Sequence, residues 1–473
     1  MHAVRSLSFA ALFAAACTVG PDYEAPELSL PATFAETRAA GLADGPAADV
    51  RWWQGFGDPK LGELVDRALL HNHDLRASLA RLASARALHG VAAADRWPQL
   101  DANAGYTYRS ESENTPFGAF IPRTDIHQAT FDAAWELDLW GRVRRSVEAA
   151  GRDLEASTAD VHAVAVSVAA EVARSYVDLR AAQRRLAIGR ANLTLQQQTL
   201  ELVRARLAAG LVVERDVAQA ATNVETTRSR LPSLEAAATI AQNRLAVLLG
   251  EVPGQSTVDL GDGGAVPTLP ARVAVGVPAD LLRRRPDVLA AERRFAAAVA
   301  RIGVAEAERY PRFTLSGQLG LAANTASDVL DDGSDLAGFG PSVRWNLFDG
   351  GRLKHRVQSL EASAEAQQIA YEQTVLRAVE ETENAMTAFV REQARRAALA
   401  AAATEARRAV ELAQTQYREG LSDFQSVLDS ERSAALIEDD LAASEAAVAI
   451  DLIALYKALG GGFGGAEAVA ARD

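Results

Sequence analysis

A chain of 473 residues that is 49% hydrophobic but only 6% aromatic builds its core from Ala, Val and Leu, which suits closely packed helices better than a sheet sandwich. A formal net charge of −13 argues against nucleic acid as a partner. A single Cys excludes an intrachain disulfide framework and a four-Cys zinc site, and after the first twenty residues no apolar run is long enough for a membrane-spanning helix.

Residues 1–16 predict an export signal: Arg5 supplies positive charge and Leu7 to Ala16 is a short apolar run. The run ends Ala14-Ala15-Ala16-Cys17, which resembles a bacterial lipoprotein cleavage site with Cys17 as the acylated new N-terminus. The alternative is an ordinary signal peptide with a leftover Cys. Thr18 after the Cys resembles lipoproteins sent on to the outer membrane. Acyl chains contribute about 0.8 kcal/mol per buried CH₂, so several would anchor the chain to lipid without a spanning helix.

From there the chain is written twice. A helical stretch (59–95, then 278–308) meets an aromatic-Pro pair, Trp97-Pro98 or Tyr310-Pro311, which stops it. Two alternating segments follow, within 99–140 and 312–349. A very long helix comes next, 142–209 or 352–419, then a Gly turn, then a returning helix, 212–249 or 422–459. At 1.5 Å per residue each long helix reaches roughly 100 Å, more than an ordinary globular core needs. Trp135-Glu136-Leu137 recurs as Trp345-Asn346-Leu347, Gly141-Arg142 as Gly351-Arg352, Gly210-Leu211 as Gly420-Leu421 and Leu249-Gly250 as Leu459-Gly460, always 210 residues on. A constant offset over that span marks an internal structural repeat, 58–250 and 278–459, with a linker at 251–277.

The returning helices carry heptad seams, Val217, Val224, Leu231, Ala238 and Leu245, then Val427, Ala434, Leu441, Val448 and Leu455. Pro232 lies inside the first seam with Ala442 as its mate, and predicts a kink or interruption there.

The alternating segments predict four β-strands. Leu100, Ala102, Ala104, Tyr106 and Tyr108 alternate with polar or small residues, and Phe131 to Leu139, Phe313 to Leu321 and Phe339 to Leu347 do the same. Period-two patterning over about ten residues, apolar on one face and polar on the other, is the transmembrane β-barrel signature. The tips, 110–125 and 324–337, are polar and read as external loops. Four strands cannot close, and an open edge is not tolerated in lipid, so protomers must pool strands. Two chains give eight strands and a filled interior; three give twelve and room for a pore.

These residues resemble the TolC family of outer-membrane efflux channels, most closely the lipoprotein channels of RND-type multidrug pumps. The resemblance spans the mature chain and rests on Cys17 to Tyr23, Trp52 to Pro59, Trp135 to Arg142, Arg284-Arg285-Pro286-Asp287 and Leu455 to Gly462. It implies a mixed α and β membrane protein: a homotrimer with a twelve-stranded outer-membrane β-barrel, four strands per protomer, continuous with a long α-helical coiled-coil periplasmic tunnel. It implies a mixed belt, placed in 17–57, 251–277 and the tail 460–473. The implied partners are a periplasmic adaptor protein, an inner-membrane RND-type pump and outer-membrane lipid, with no nucleic acid. Tyr417 and Arg418 match the family's gate-linking positions, and Asp429 an acidic ring at the constriction. Gln425 and Ser426 stand where relatives carry an apolar residue or a second acidic ring. Gly210, Leu211, Gly420 and Leu421 match the turns that meet the adaptor.

No enzyme motif, cofactor or metal is expected. His71-Asn72-His73-Asp74 falls at a helix boundary, Glu380, Glu381 and Glu383 read as a solvated helix face, and no phosphate loop or nucleophile elbow appears. A protein-secretion channel of the same fold and a soluble coiled-coil scaffold are the competing readings; the paired hairpins argue against the second.

Overall fold

The structure is a computed structural model that describes residues 18–36, 42–43, 51–112, 114–116, 120, 123–255, 261, 265–270 and 272–461. Cys17, the export signal and the tail after Gly461 lie outside the described residues. In chain order the elements are β1 (Leu42–Ala43), α1 (Pro59–His71), α2 (His73–Ala94), β2 (Gln99–Arg109), β3 (Thr124–Leu137), α3 (Arg142–Ala208) and α4 (Glu214–Leu248). The second half continues with β4 (Val273–Ala274), α5 (Pro278–Arg284), α6 (Pro286–Ala307), β5 (Arg312–Ala323), β6 (Asp335–Arg344), α7 (Arg352–Arg418) and α8 (Phe424–Ala458). The chain folds into two compact units, each drawing on both repeats.

The first unit comprises residues up to 27, 82–157 and 290–371. Its sheet is antiparallel in the order β2-β3-β5-β6, so the two hairpins join through β3 and β5. Register places Phe131 opposite Leu319, Trp135 opposite Leu315 and Phe313 opposite Val343 on one face. The opposite face pairs Asp132 with Gln318, Glu136 with Thr314 and Arg312 with Arg344. Leu319 is 64% and Phe339 79% exposed, which for an apolar face of a barrel strand means lipid rather than water. At its base Trp135 and Trp345 donate their indole N–H groups to the carbonyls of Arg96 and Arg309.

The strands differ from the alternation read in the sequence. β3 begins at Thr124, inside the expected loop, and β6 ends at Arg344, so Trp345 and Leu347 lie beyond the ladder. Alternation of residue types does not itself require ladder pairing, so it runs past the last paired residue. After β3, Asp138 accepts from the backbone N–H groups of Val143 and Arg144 and so caps the start of α3. A strap at 19–23 lies on this region: Val19 N–H donates to the Trp140 carbonyl, Asp22 pairs with Arg145 at 2.6 Å, and Tyr23 donates to Glu292.

The second unit comprises 28–81, 158–289 and 372 onward. Leu61, Leu64, Val65 and Ala68 of α1 are buried, and Trp52 stacks on Tyr456 at 5.2 Å. β1 pairs in parallel with β4. The helical stretches expected at 59–95 and 278–308 are each two helices, the first divided at the boundary expected at His71 to Asp74 and the second at a break not singled out in the sequence. Asn72 makes the first break, its side-chain oxygen accepting from the N–H groups of Asp74 and Leu75. Arg285 makes the second, because Pro286 opens α6 and disfavours helix at the residue before it. Pro232 does not interrupt α4, which runs unbroken from Glu214 to Leu248. Helix formation is cooperative, so one missing N–H does not end it, and the hydroxyls of Ser229 and Ser233 donate to the carbonyls of Thr226 and Arg230 in the turns ahead of the proline.

Candidate gate and docking turns

The long helices end in matching turns. Gly210 N–H donates to the Leu207 carbonyl and Leu211 N–H to that of Arg206; Gly420 N–H donates to Tyr417 and Leu421 N–H to Gln416. This double bond with a left-handed glycine is the Schellman motif, and the φ angles of 68° and 76° explain why glycine stands there. A Cβ on either glycine would meet nothing within 4 Å, and Leu211 and Leu421 are 71% and 74% exposed. Each turn therefore presents one leucine to its surroundings. Asp423 caps α8 by accepting from Ser426 N–H at 3.0 Å, whereas Val213 before α4 has no side-chain cap.

Behind the turns lies a core of Leu200 and Val203 from α3, Ala220 and Val224 from α4, Ala413 and Tyr417 from α7, and Phe424, Val427 and Leu428 from α8. Tyr417 is only 3% exposed. Its ring meets Phe424 at 5.8 Å, and the Arg206 guanidinium sits 4.2 Å from its centre. Its hydroxyl is enclosed without a hydrogen-bond partner among the described residues. Arg418, the next residue, is exposed, as are Gln425 and Asp429, which share one stripe of α8. Gln425 donates to Asp429 at 2.9 Å. The structure thus brings Tyr417 into the core and leaves Arg418 and Asp429 on the surface of the protomer.

Two residues of this region were not singled out in the sequence. Glu431 is buried on the apolar side of α8, one turn from Val427 and Leu428. Thr199 donates to it at 2.7 Å and Gln414 at 3.0 Å. Burial pushes its carboxyl above the usual carboxylate range, against those two hydrogen bonds. Its place four residues after the seam residue Val427, on the same helix face, was the available signal. Arg206 is the other; its Nη2 also donates to the Arg418 carbonyl at 2.8 Å, next to the end of α7. Among the described residues no group of His, Cys, Asp and Glu side chains is placed to hold a metal ion, and His71 and His73 simply flank the Asn72 cap.

Strands with a lipid face, long paired helices and exposed helix turns define an outer-membrane channel. The chain belongs to the family described as outer membrane efflux protein, whose profile matches residues 64–251 and 277–461. Those two matched segments correspond to the two repeats. Nodulation protein T of Rhizobium leguminosarum bv. trifolii is 33% identical over 434 residues, 92% of each chain. The pyoverdine export outer membrane protein OpmQ of Pseudomonas putida is 34% identical over 420 residues, 88% of each chain. The solved outer-membrane channel OprN superposes with a TM-score of 0.89 at 37% identity, covering 94% of this chain and 100% of the other. The fold class is that of trimeric channels in which each protomer gives four strands to a twelve-stranded barrel and its long helices to an α-helical tunnel. The protein is an outer-membrane efflux channel.

Proposed function

We propose that the chain serves a tripartite pump as a gated conduit for small toxic molecules, with a periplasmic adaptor and an inner-membrane RND-type pump as partners and no catalysis of its own. The relative OpmQ is named for pyoverdine export, which supports small-molecule cargo. The observation that carries the gate is the division of α8 into a buried side, Phe424, Val427 and Leu428, and an exposed stripe bearing Gln425 and Asp429. Three Asp429 carboxylates converging in a trimer repel one another and attract cations. Arg418 is the side chain available to link to a neighbouring protomer. Such a partly exposed ion pair is worth on the order of 1 kcal/mol, little enough for a docking partner to release. Tyr417 takes part through its ring, because its hydroxyl is enclosed within its own protomer. Leu211 and Leu421, projecting beside Gly210 and Gly420, are the docking knobs for the adaptor. Acylation of Cys17 fastens the N-terminus to the membrane.

Block of the channel by multivalent cations in a planar bilayer tests the ring. Asp429→Ala is expected to weaken block, and Arg418→Ser to raise resting conductance. Block and conductance equal to wild type in both variants would remove the gate assignment and leave the channel itself standing. N-terminal peptide mass tests Cys17, since an unmodified N-terminus at another residue rules out acylation there.

A further inference from the structure

The sheet sets two positive charges opposite each other. Arg312 opens β5 and Arg344 closes β6, and the register makes them direct cross-strand partners. Like charges in that position destabilise a sheet, so the pair needs a reason beyond folding. The face they occupy follows from the alternation. Phe313 and Val343, the next pair along, lie on the apolar face with Leu315 and Leu319. Arg312 and Arg344 therefore share the polar face with Thr314, Ser316 and Gln318, which in a barrel is the lumen.

The nearby carboxylates offset only part of this charge: Arg312 has a shared partner in Glu136, and Arg344 has none among the described residues. Glu136 is held by two hydrogen bonds from Arg142, at 2.8 and 2.9 Å, and lies 3.6 Å from Arg312 as a secondary contact. Asp138 is taken by Arg144 and by the backbone at the start of α3. Glu308 pairs with Arg356 at 3.2 Å. No carboxylate among the described residues comes within ion-pair distance of Arg344, which is exposed. Both arginines line a cavity of about 220 Å³ together with Arg142, Arg352 and the carboxylates of Glu136, Asp138 and Glu308, so among the described lining residues guanidinium groups outnumber carboxylates by one. Asp132, the next acid along β3 on this face, sits opposite Gln318, six residues up β5 from Arg312, and accepts from Asn103.

We propose that Arg312 and Arg344, repeated in each protomer of the trimer, form a girdle of guanidinium groups around the periplasmic end of the barrel lumen that binds and concentrates anions. The ligands are phosphate- or carboxylate-bearing solutes, which guanidinium groups hold through paired N–H donors. The inference rests on the trimeric channel reading and adds a charge preference at one level of the pore.

Purified trimer in a planar bilayer of neutral phosphatidylcholine tests it, with inorganic tripolyphosphate added on the side of the β2–β3 and β5–β6 loops. Wild type is expected to show block by tripolyphosphate. In the Arg312→Gln/Arg344→Gln double variant the half-blocking concentration is expected to rise about tenfold or more, because a charge-lined cleft raises local counter-ion concentration by that order. The Arg312→Lys/Arg344→Lys variant should retain part of the block, because the charge is kept and the paired N–H fork is lost. The Gln variant removes a like-charge repulsion, so its trimer should melt no lower than wild type, which separates loss of binding from loss of fold. Equal block in wild type and the Gln variant, or no block in wild type, overturns the girdle while conductance upholds the channel. Absence of any conductance overturns both.

Discussion

Arg206 stands with its guanidinium 4.2 Å from the centre of the Tyr417 ring and donates to the carbonyl of Arg418. One side chain at the end of α3 thereby holds both the ring and the backbone at the end of α7. A cation over an aromatic face gains about 0.5–2 kcal/mol depending on its exposure, and cations favour helix C-termini. The contact ties the first-repeat arm of the turn region to the second.

Arg206→Ala should therefore loosen the turn at Gly420 by about 1–2 kcal/mol. Faster amide exchange at Leu421, with exchange in the sheet unchanged, is the expected readout. Tyr417→Phe should leave resting conductance at the wild-type level, since the hydroxyl it deletes has no hydrogen-bond partner among the described residues. Tyr417→Ala should raise it, at a cost of about 3 kcal/mol for the emptied core site. A Phe variant that leaks like the Ala variant would place the hydroxyl in a contact between protomers.

Burial raises the Asp451 carboxyl from 3.8 to about 6, helped by the charge of Glu392, which itself accepts from Ser444 and pairs with Arg395. A carboxyl raised on folding stabilises the fold fully below its unfolded pKa and loses that contribution as pH rises through the folded one. Thermal stability should therefore decline between pH 4 and 7 by this contribution, and Asp451→Asn should flatten that slope. An unchanged slope in the Asn variant would assign the titration elsewhere.

Arg285 is buried between α5 and α6, pairing with Asp287 at 2.7 Å and Glu381 at 2.8 Å and donating to the Ala458 carbonyl. Arg285→Ala strips two acids and the end of α8 of their donor. A loss of about 3 kcal/mol is expected from thermal or denaturant unfolding, at the lower end for breaking a buried pair because Glu381 is more than half exposed. Arg285→Lys should recover only part, for lack of the planar fork. Wild-type stability in the Ala variant would remove Arg285 from the fold's essential ties.

Pro232 costs α4 one backbone hydrogen bond without ending the helix. Pro232→Ala should stabilise the second unit by about 1–3 kcal/mol, matching the alanine that its repeat mate Ala442 already provides. An equal or lower unfolding midpoint would show that the proline geometry serves the packing of α4.

Local chemistry was legible in the sequence. Gly210 and Gly420 announced their turns because a left-handed residue strongly favours glycine, and the period-two runs announced strands because one face must differ from the other. The heptad seams located Val224 and Val427 in one core. What stayed hidden depends on distant partners. Thr199 meets Glu431 across 232 residues and Arg185 meets Asp439 across 254, and no periodicity encodes either pair. Tyr417 reads as a surface aromatic until Arg206 and Phe424 enclose it. Trp345 carried the strand alternation past the last paired residue, because alternation and pairing look alike in one dimension.

The order β2-β3-β5-β6 leaves β2 and β6 each with one unpaired side. Substitutions along the β3–β5 seam should impair folding of the single chain, whereas substitutions on the outer sides of β2 and β6 should spare the chain and impair its association. A lone protomer exposes two rows of backbone polar groups that hydrocarbon cannot satisfy. Entry into the membrane is then a reaction of higher order in chain concentration: dilution at the moment of insertion slows it steeply, and a variant that only associates poorly accumulates outside the bilayer with its helices already formed.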